Sequence, residues 1–166
     1  MDKQRRWKKH LLTITLFLLA YLAIRSYQLS GYSEGQAPLF SAISVEDRVI
    51  KLSDYRGQPV LIYFWATWCP VCKMERGSIE GLSEDYPVIT VASWSEDMQA
   101  VRDYFDTTTL RQTTILDSSG QLAGRYGVTG VPSFFILDKN GQIRFTERGY
   151  TTSIGLRIRM LLANIL

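Results

Sequence analysis

Cysteine and histidine are scarce in this 166-residue chain, which contains two cysteines and one histidine, His10. Two cysteines are too few for a disulfide-dense small scaffold or for a zinc site of four cysteines. A single histidine excludes a metal site built from a histidine cluster. Charged residues make up 21% of the chain and hydrophobic residues 46%. This balance predicts a folded core, and the length suits one domain with a short additional segment.

The excess of basic charge is confined to the N-terminus. The first ten residues contain five Lys or Arg side chains and one Asp, whereas the chain from Ser26 onward has 13 basic and 15 acidic side chains. A nucleic-acid-binding domain presents its basic excess on the folded part. The charge distribution therefore predicts that this protein has no nucleic-acid partner.

An uncharged apolar run, residues 11–24 (LLTITLFLLAYLAI), follows the basic tail. It is shorter than the roughly 20 residues that cross a bilayer core, but Trp7 and the flanking Lys and Arg side chains extend it at the interfaces. A buried core helix and a cleaved secretory signal are alternatives. No cleavage site with small residues follows the run, so we favour an uncleaved signal anchor over residues 11–25.

The positive-inside rule predicts the membrane topology. It places residues 1–10 in the cytoplasm as a basic tail and sends everything after Arg25 across the membrane. In a bacterium this corresponds to a single-pass inner-membrane protein whose domain lies in the periplasm, where disulfide chemistry is permitted. Residues 26–38 (SYQLSGYSEGQAP) are polar and aperiodic, which predicts a linker before a domain over residues 39–166.

The domain alternates between strand and helix patterns. Predicted strands cover residues 49–52, 60–65, 88–92, 113–116, 133–137 and 142–146, and predicted helices cover residues 70–86, 95–105 and 121–126 and the C-terminal segment. Ser95 is the expected N-cap of the second helix. The last helix has Ile154, Ile158, Leu161, Leu162 and Ile165 on one apolar side. This order predicts an α/β fold with a mixed central sheet and helices on both faces.

The two cysteines, Cys69 and Cys72, are three positions apart, directly after a predicted buried strand and at the start of a predicted helix. A helix N-terminus exposes unpaired N–H groups and the positive end of the helix dipole. We therefore expect the thiol of Cys69 to have a lowered pKa and to be nucleophilic. Pro70 suits the first helical turn. One turn of helix brings the two sulfurs within bonding reach.

This arrangement predicts thiol–disulfide exchange. Cys69 attacks a substrate disulfide, Cys72 resolves the mixed disulfide, and the reverse sequence oxidises a substrate. The cysteine pair is itself the redox group, so we expect no metal or organic cofactor. A structural disulfide is one alternative, but so small a loop constrains the unfolded chain very little. A metal site is another, with two sulfur ligands and no histidine on the same side of the membrane.

Two segments carry a resemblance to a known family. Residues 60–72 (VLIYFWATWCPVC) resemble the active-site segment of thioredoxin-fold proteins, and residues 127–133 (GVTGVPS) resemble the cis-proline loop of that superfamily. The anchor and residues 37–38 (AP), 52–57 (LSDYRG) and 72–75 (CKME) are similar to the membrane-tethered, periplasm-facing TlpA/ResA branch, in particular to its copper-sensitivity suppressors. The resemblance implies a thioredoxin fold.

The resemblance also implies roles for individual residues. Cys69 would be the nucleophile, and Val131–Pro132 would be a cis bond that faces it. The backbone of Val131 would pair with the substrate chain, and the proline would keep metals from the sulfurs. Trp68 would form an apolar platform beside Cys69. An ordinary loop residue at Val131 and a core tryptophan at Trp68 are the alternatives. The expected substrate-binding residues are Trp68, Pro70, Val71, Val131 and Pro132.

The acid–base group is a further expectation. Tyr63 stands where thioredoxin has a buried aspartate, and a tyrosine cannot carry a proton in that way near pH 7. Glu75, one turn after Cys72, corresponds to a glutamate that assists catalysis in the TlpA/ResA branch. A solvated position on the helix surface is the alternative. Ser133 stands where cytochrome c maturation relatives carry an acidic residue, which disfavours that specific role.

Together these patterns predict a protein-disulfide oxidoreductase that acts on protein thiols and disulfides. The resemblance implies a DsbD-like transmembrane reductant as its partner, and we expect a monomer. Two alternatives use the same cysteines. One is a reductant for apocytochrome cysteines before haem attachment, and the other is a copper-handling binding protein.

Overall fold

The computed structural model describes residues 2–105, 110 and 113–165, with side chains from Trp7 onward. The chain divides into two units, Met1–Ser30 and Gly31–Leu166. The first unit contains one helix, α1 (Asp2–Leu29). Its segment Trp7–Leu29 has 23 residues, none of them buried, and is long and apolar enough to cross a membrane. The candidate span is thus longer than the apolar run alone indicates.

The segment predicted as a linker, residues 26–38, has a different structure. Its first four residues continue α1, which ends at Leu29. Gly31 then adopts a φ of +92°, the left-handed conformation that commonly follows a helix end. Beyond it, Tyr32 and Ala37 are only 7% and 2% exposed and belong to the core of the second unit. The folded domain therefore begins at Gly31, because aperiodic residues before position 39 also pack against it.

The second unit contains a five-stranded sheet in the order β5-β4-β3-β6-β7, together with the hairpin β1-β2. The strands are β1 (Ser41–Ile43), β2 (Val49–Lys51), β3 (Val60–Trp65), β4 (Val88–Ser93), β5 (Thr114–Asp117), β6 (Ser133–Leu137) and β7 (Ile143–Arg148). The helices are α2 (Pro70–Ser83), α3 (Met98–Tyr104), α4 (Gln121–Arg125) and α5 (Ser153–Ile165), with a 3-10 helix over Leu52–Tyr55. β3, β4 and β5 are parallel, whereas β6 and β7 are antiparallel to their neighbours. The predicted mixed α/β sheet is confirmed.

Two layers of core lie on opposite faces of the sheet. β3 supplies both, because all six of its residues are buried and successive side chains point to opposite faces. Tyr63 and Trp65 pack on one face with residues of α2, α3 and α5. Phe64 packs on the other face with Tyr32, Tyr126 and residues of the hairpin. The continuous apolar run of β3 is thus a strand buried on both sides, as its sequence predicts.

Helix α3 begins later than predicted and has a different cap. Asp97, not Ser95, is its N-cap, and the Asp97 carboxylate accepts a hydrogen bond of 2.8 Å from the Ala100 N–H. Ser95 is buried, and its hydroxyl accepts a bond of 3.2 Å from the Thr67 N–H. A long-range contact with Thr67 therefore occupies the Ser95 hydroxyl, and Asp97, two positions later, caps the helix.

Helix α5 packs through the side opposite to its predicted apolar side. Leu156, Met160 and Ala163 are fully buried, whereas Ile154 and Ile158 are 72% and 52% exposed. Leu161, Leu162 and Ile165 are exposed as well. Both sides of this helix carry apolar residues at helical spacing, so periodicity alone does not determine which side faces the core.

Candidate active site

The two cysteines form a disulfide at the junction of β3 and α2. Cys69 is the N-cap of α2, Pro70 occupies the first turn, and Cys72 lies one turn along. The Cα atoms of the two cysteines are 5.3 Å apart. The Cys72 N–H donates a hydrogen bond of 3.1 Å to the Cys69 Sγ. In the reduced pair the same N–H would favour the thiolate of Cys69, because a donor stabilises the charged form.

Burial differs between the sulfurs and their surroundings. Cys69 and Cys72 are 3% and 1% exposed, and both belong to the core layer on the α2 side of the sheet. Around them, Trp68, Pro70 and Val71 are exposed. The buried sulfurs are thus bordered by an exposed apolar surface that is continuous with the start of α2.

Trp68 is held in place although it is exposed. Its indole N–H donates a bond of 3.0 Å to the carbonyl oxygen of Trp94. Trp94 has a φ of +51°, and a Cβ at Gly120 would lie 2.1 Å from its Nε1. Only a glycine at position 120 allows this close approach. Trp68 is therefore a supported surface residue and not a core tryptophan.

The proline loop lies at the same end of the sheet as the disulfide. β6 runs antiparallel to β3, and its first residue, Ser133, pairs with Phe64 near the end of β3. The Val131–Pro132 bond just before Ser133 is cis, as the resemblance implies. Pro132 is buried and Val131 is half-buried. The sheet register thus brings residues separated by about 60 positions in sequence to one site.

Glu75 is fully buried, which excludes the alternative of a solvated helix position. Its Oε1 accepts a hydrogen bond from the Thr151 N–H. Burial raises the pKa of Glu75 to about 7, although the bond from Thr151 acts in the opposite direction. A carboxyl group that titrates near neutral pH therefore lies one turn of α2 beyond Cys72.

Tyr63 is the second buried polar group near Glu75. Its ring stacks on Phe134 with centroids 4.9 Å apart. Among the side chains that the structure describes, the Tyr63 hydroxyl and the Glu75 Oε2 are buried without a hydrogen-bond partner. Burial raises the pKa of Tyr63, and the charge of Glu75 raises it further. Tyr63 is therefore neutral at any ordinary pH and leaves Glu75 as the titrating group.

Residues 2–105, 110 and 113–165 include no group of three or more His, Cys, Asp or Glu side chains arranged to hold a metal ion. The copper-handling alternative would therefore depend, within these residues, on the two sulfurs of Cys69 and Cys72 alone.

The structure brings the predicted site residues to one end of the sheet, and it adds three that no sequence pattern indicates. These are Thr151, Trp94 and Tyr32. Thr151 contacts Glu75 across 76 positions of sequence, and Trp94 contacts Trp68 across 26. Tyr32 contacts Ser133 across 101 positions. Contacts over such separations follow from strand order, which the local pattern does not encode.

A dithiol–disulfide pair at the start of a helix, after a central strand and beside a cis-proline loop, defines a thiol–disulfide oxidoreductase of the thioredoxin fold. Comparison with known proteins agrees with that class. Residues 34–146 match the AhpC/TSA family, and the chain belongs to that family.

Individual relatives refine the class. The thiol-disulfide oxidoreductase ResA of Geobacillus thermodenitrificans is 30% identical, over 92% of each chain. The sporulation thiol-disulfide oxidoreductase A of Bacillus subtilis is 27% identical, over 90% of this chain and 95% of the relative. A Chlorobium tepidum protein described as a thiol:disulfide interchange protein DsbE superposes with a TM-score of 0.68 and 27% identity, over 80% of this chain and 98% of that one. The protein is a protein-disulfide oxidoreductase of the ResA/DsbE type.

Proposed function

We propose that this protein is anchored in the bacterial inner membrane by α1 and exchanges disulfides with protein substrates in the periplasm. The observation that carries the proposal is the Cys69–Cys72 disulfide at the start of α2, beside an exposed Trp68. The basic tail over residues 1–10 favours a cytoplasmic N-terminus. The domain that follows α1 then lies where disulfides persist.

In the reducing direction, the thiolate of Cys69 attacks one sulfur of a substrate disulfide. The substrate S–S bond breaks, its leaving sulfur takes up a proton, and Cys69 becomes joined to the substrate as a mixed disulfide. Cys72 then attacks the Cys69 Sγ and expels the second substrate sulfur as a thiolate. Two electrons pass from the cysteine pair to the substrate, and the Cys69–Cys72 disulfide remains. Oxidation of a substrate is the same sequence reversed.

Glu75 is the proposed acid–base group of the resolving step. Cys72 must lose its proton before it attacks, and it is buried, so solvent reaches it poorly. A carboxylate one turn away accepts that proton when its own pKa lies close to the working pH. The pKa of Glu75, raised by burial to about 7, meets that condition.

The substrate is proposed to bind across the exposed surface around Cys69. Trp68, Pro70 and Val71 supply apolar contact, and the Val131 backbone next to Pro132 pairs with an extended substrate segment. Regeneration of the reduced pair requires an electron donor, for which a DsbD-like transmembrane reductant is the partner that the family resemblance implies. We propose that the protein acts as a monomer.

Trapping of mixed disulfides tests this assignment. The full chain in detergent is incubated in its reduced form with insulin, and covalent complexes are separated without reductant. Cys72→Ser is expected to accumulate an insulin complex that dithiothreitol releases, because nothing resolves it. Cys69→Ser is expected to form none. The opposite pattern would reverse the roles of the two cysteines, and no complex with either variant would contradict the proposed function.

Two further measurements separate the alternatives. Equilibrium dialysis with Cu(I) is expected to show no tight stoichiometric binding, and tight binding without insulin turnover would favour copper handling. Deletion of the gene is expected to leave haem attachment to c-type cytochromes intact. A loss of attached haem would favour a reductant dedicated to apocytochromes.

A further inference from the structure

The first residues of the folded domain pack directly against the segment that leads into the proline loop. Tyr32 is 7% exposed, and its ring centroid lies 5.6 Å from that of Phe135. The Ser33 N–H donates a bond of 3.0 Å to the Tyr126 carbonyl oxygen. A Cβ at Gly127 would lie 1.9 Å from the Gly31 carbonyl oxygen, so the two backbones touch there. Residues 31–33, the tether segment, are therefore built into this end of the domain.

A chain of two hydrogen bonds connects the tether segment to the proline loop. The Ser133 hydroxyl donates a bond of 2.7 Å to the carbonyl oxygen of Gly130. The hydroxyl oxygens of Tyr32 and Ser133 are 2.9 Å apart. Because the one hydrogen of Ser133 is already donated to Gly130, Tyr32 must be the donor to Ser133. Ser133 is fully buried, so its hydroxyl is shielded from water.

These bonds fix the part of the loop that carries Val131 and Pro132. The bond from Ser133 to Gly130 closes across both residues, and the hydroxyl of Tyr32 orients Ser133 for it. A loop held in one conformation loses less conformational entropy when a substrate strand binds to its backbone. Cys69 is the N-cap of α2 and Cys72 lies within it, and among the bonds described neither cysteine makes a hydrogen bond to Tyr32, Gly130 or Ser133.

We propose that Tyr32 is a positioning residue for substrate binding: from the tether segment, its hydroxyl holds the Gly130–Pro132 loop in the conformation that receives the substrate strand. This inference rests on the proposed function, because it assumes that protein disulfides bind at Val131. It assigns a role in substrate affinity to a residue outside the two family motifs, next to the membrane-anchoring helix in sequence.

Kinetics of two matched tyrosine variants test the inference. Tyr32→Phe removes the hydroxyl and keeps the ring. Tyr126→Phe is the control, since the Tyr126 hydroxyl lies in the same core layer but donates its equivalent bond of 2.9 Å to the Pro38 carbonyl oxygen and not to the Gly130–Pro132 loop. The full chain in detergent reduces insulin with dithiothreitol as electron donor. A small disulfide, dithiobis(nitrobenzoate), reports thiol reactivity without needing the loop.

Tyr32→Phe is expected to raise the KM for insulin about three- to tenfold, the range that corresponds to one buried hydrogen bond. Its kcat for insulin and its rate with the small disulfide are expected to stay within about twofold of wild type, because the cysteines take no part in the hydrogen bond that this variant removes. Tyr126→Phe is expected to leave all three values unchanged. The double variant Tyr32→Phe/Ser133→Ala is expected to have the KM of Ser133→Ala, because both changes break one chain of bonds.

Three results would overturn the inference. An unchanged KM for Tyr32→Phe would show that its hydroxyl does not support substrate binding. An equal increase in KM for Tyr126→Phe would show general loosening of the domain. Additive effects on KM in the double variant would show that Tyr32 does not act through the hydrogen bonds of Ser133. If the wild-type protein fails to reduce insulin, the proposed function falls and this inference falls with it. Wild-type turnover with any of the first three results leaves the proposed function standing.

Discussion

At the scale of single residues, Glu75 is a carboxyl group that the fold removes from water. It is fully buried on α2, one turn after Cys72, and its carboxylate accepts a bond from the Thr151 backbone. Burial disfavours the charged form of a carboxyl group, and this is why the pKa of Glu75 rises to about 7. Its protonation state therefore changes near neutral pH, where the proposed resolving step would use it.

The first prediction concerns this carboxyl group. Below pH 7 Glu75 is protonated and cannot accept the proton of Cys72, so the rate of resolution is expected to rise with pH through an inflection near 7. Glu75→Gln is expected to lower the rate at pH 8 by about 100-fold, the lower end of typical general-base effects, and to remove that inflection. Stopped-flow release of the second thionitrobenzoate, after Cys69 has reacted with dithiobis(nitrobenzoate), measures the step.

The matched control is Glu80→Gln on the same helix. Glu80 is partly exposed and paired with Arg76 at 2.8 Å, so its loss removes a carboxylate from α2 without changing the buried site. Its pH profile is expected to match that of the wild type. A profile of Glu75→Gln that keeps the inflection near pH 7 would show that another group titrates in the resolving step.

At the scale of elements, local sequence predicts β3 and the start of α2 with their bounds. The strand of six consecutive buried residues and the helix start at Cys69 and Pro70 both depend on residues within a few positions of them in sequence. The packed side of α5 is not predictable in this way, because Leu156 and Ile158 lie on two apolar stripes of equal spacing. The choice between the stripes depends on α2 and β6, which lie far away in sequence.

The support of Trp68 shows that the same limit of prediction from local sequence applies within the site. Trp68 and the cysteines belong to one local motif, whereas the carbonyl that anchors its indole comes from Trp94 after β4. Trp94 in turn lies against Gly120, the N-cap of α4. The local motif therefore predicts that Trp68 belongs to the site, but its orientation depends on the segment after β4 and on the start of α4.

The second prediction tests this support. Gly120 has a φ of +70°, and its Cβ would lie 2.1 Å from the Trp94 Nε1. Gly120→Ala is therefore expected to destabilise the protein by about 1–3 kcal/mol and to displace Trp94. Because the Trp94 carbonyl anchors the Trp68 indole, the KM for insulin is expected to rise as well. Denaturant unfolding and insulin kinetics measure the two effects.

Gly124→Ala, within the short helix α4 that Gly120 precedes, is the control. Nothing lies within 4 Å of a Cβ at Gly124, and its backbone is helical. Alanine there is expected to stabilise the protein by about 0.5–1 kcal/mol, through helix propensity, with no effect on KM. Equal stability of Gly120→Ala and wild type would mean that Trp94 moves freely and does not support Trp68.

At the scale of the whole molecule, the chain combines a helix that can cross a membrane with a redox domain that begins almost at once. Ser30 and Gly31 alone separate α1, which ends at Leu29, from the buried Tyr32. A chain shortened to the predicted boundary at residue 39 would lose Tyr32 and Ala37 from the core. The sequence of residues 26–38 does not predict this early start of the domain, because irregular segments pack against a core without any repeating pattern.

The third prediction concerns the orientation of the full chain in the membrane. Five basic side chains before the apolar run of residues 11–24, and a domain without basic excess, favour a cytoplasmic N-terminus by the positive-inside rule. Alkaline phosphatase fused after residue 166 is therefore expected to be active, since it folds only where disulfides form. Green fluorescent protein fused at the same position and exported in the same way is expected not to fluoresce.

Replacing the basic residues of the tail by glutamine removes the signal for this orientation while α1 keeps its apolar length. The replaced residues are Lys3, Arg5, Arg6, Lys8 and Lys9. Phosphatase activity is then expected to fall and fluorescence to appear, because the chain no longer has a preferred side. Replacing the same number of basic residues within the domain is the control and is expected to leave both reporters unchanged. High fluorescence with the unaltered tail would place Cys69 and Cys72 in the reducing cytoplasm, where a thiol–disulfide exchanger would meet different partners.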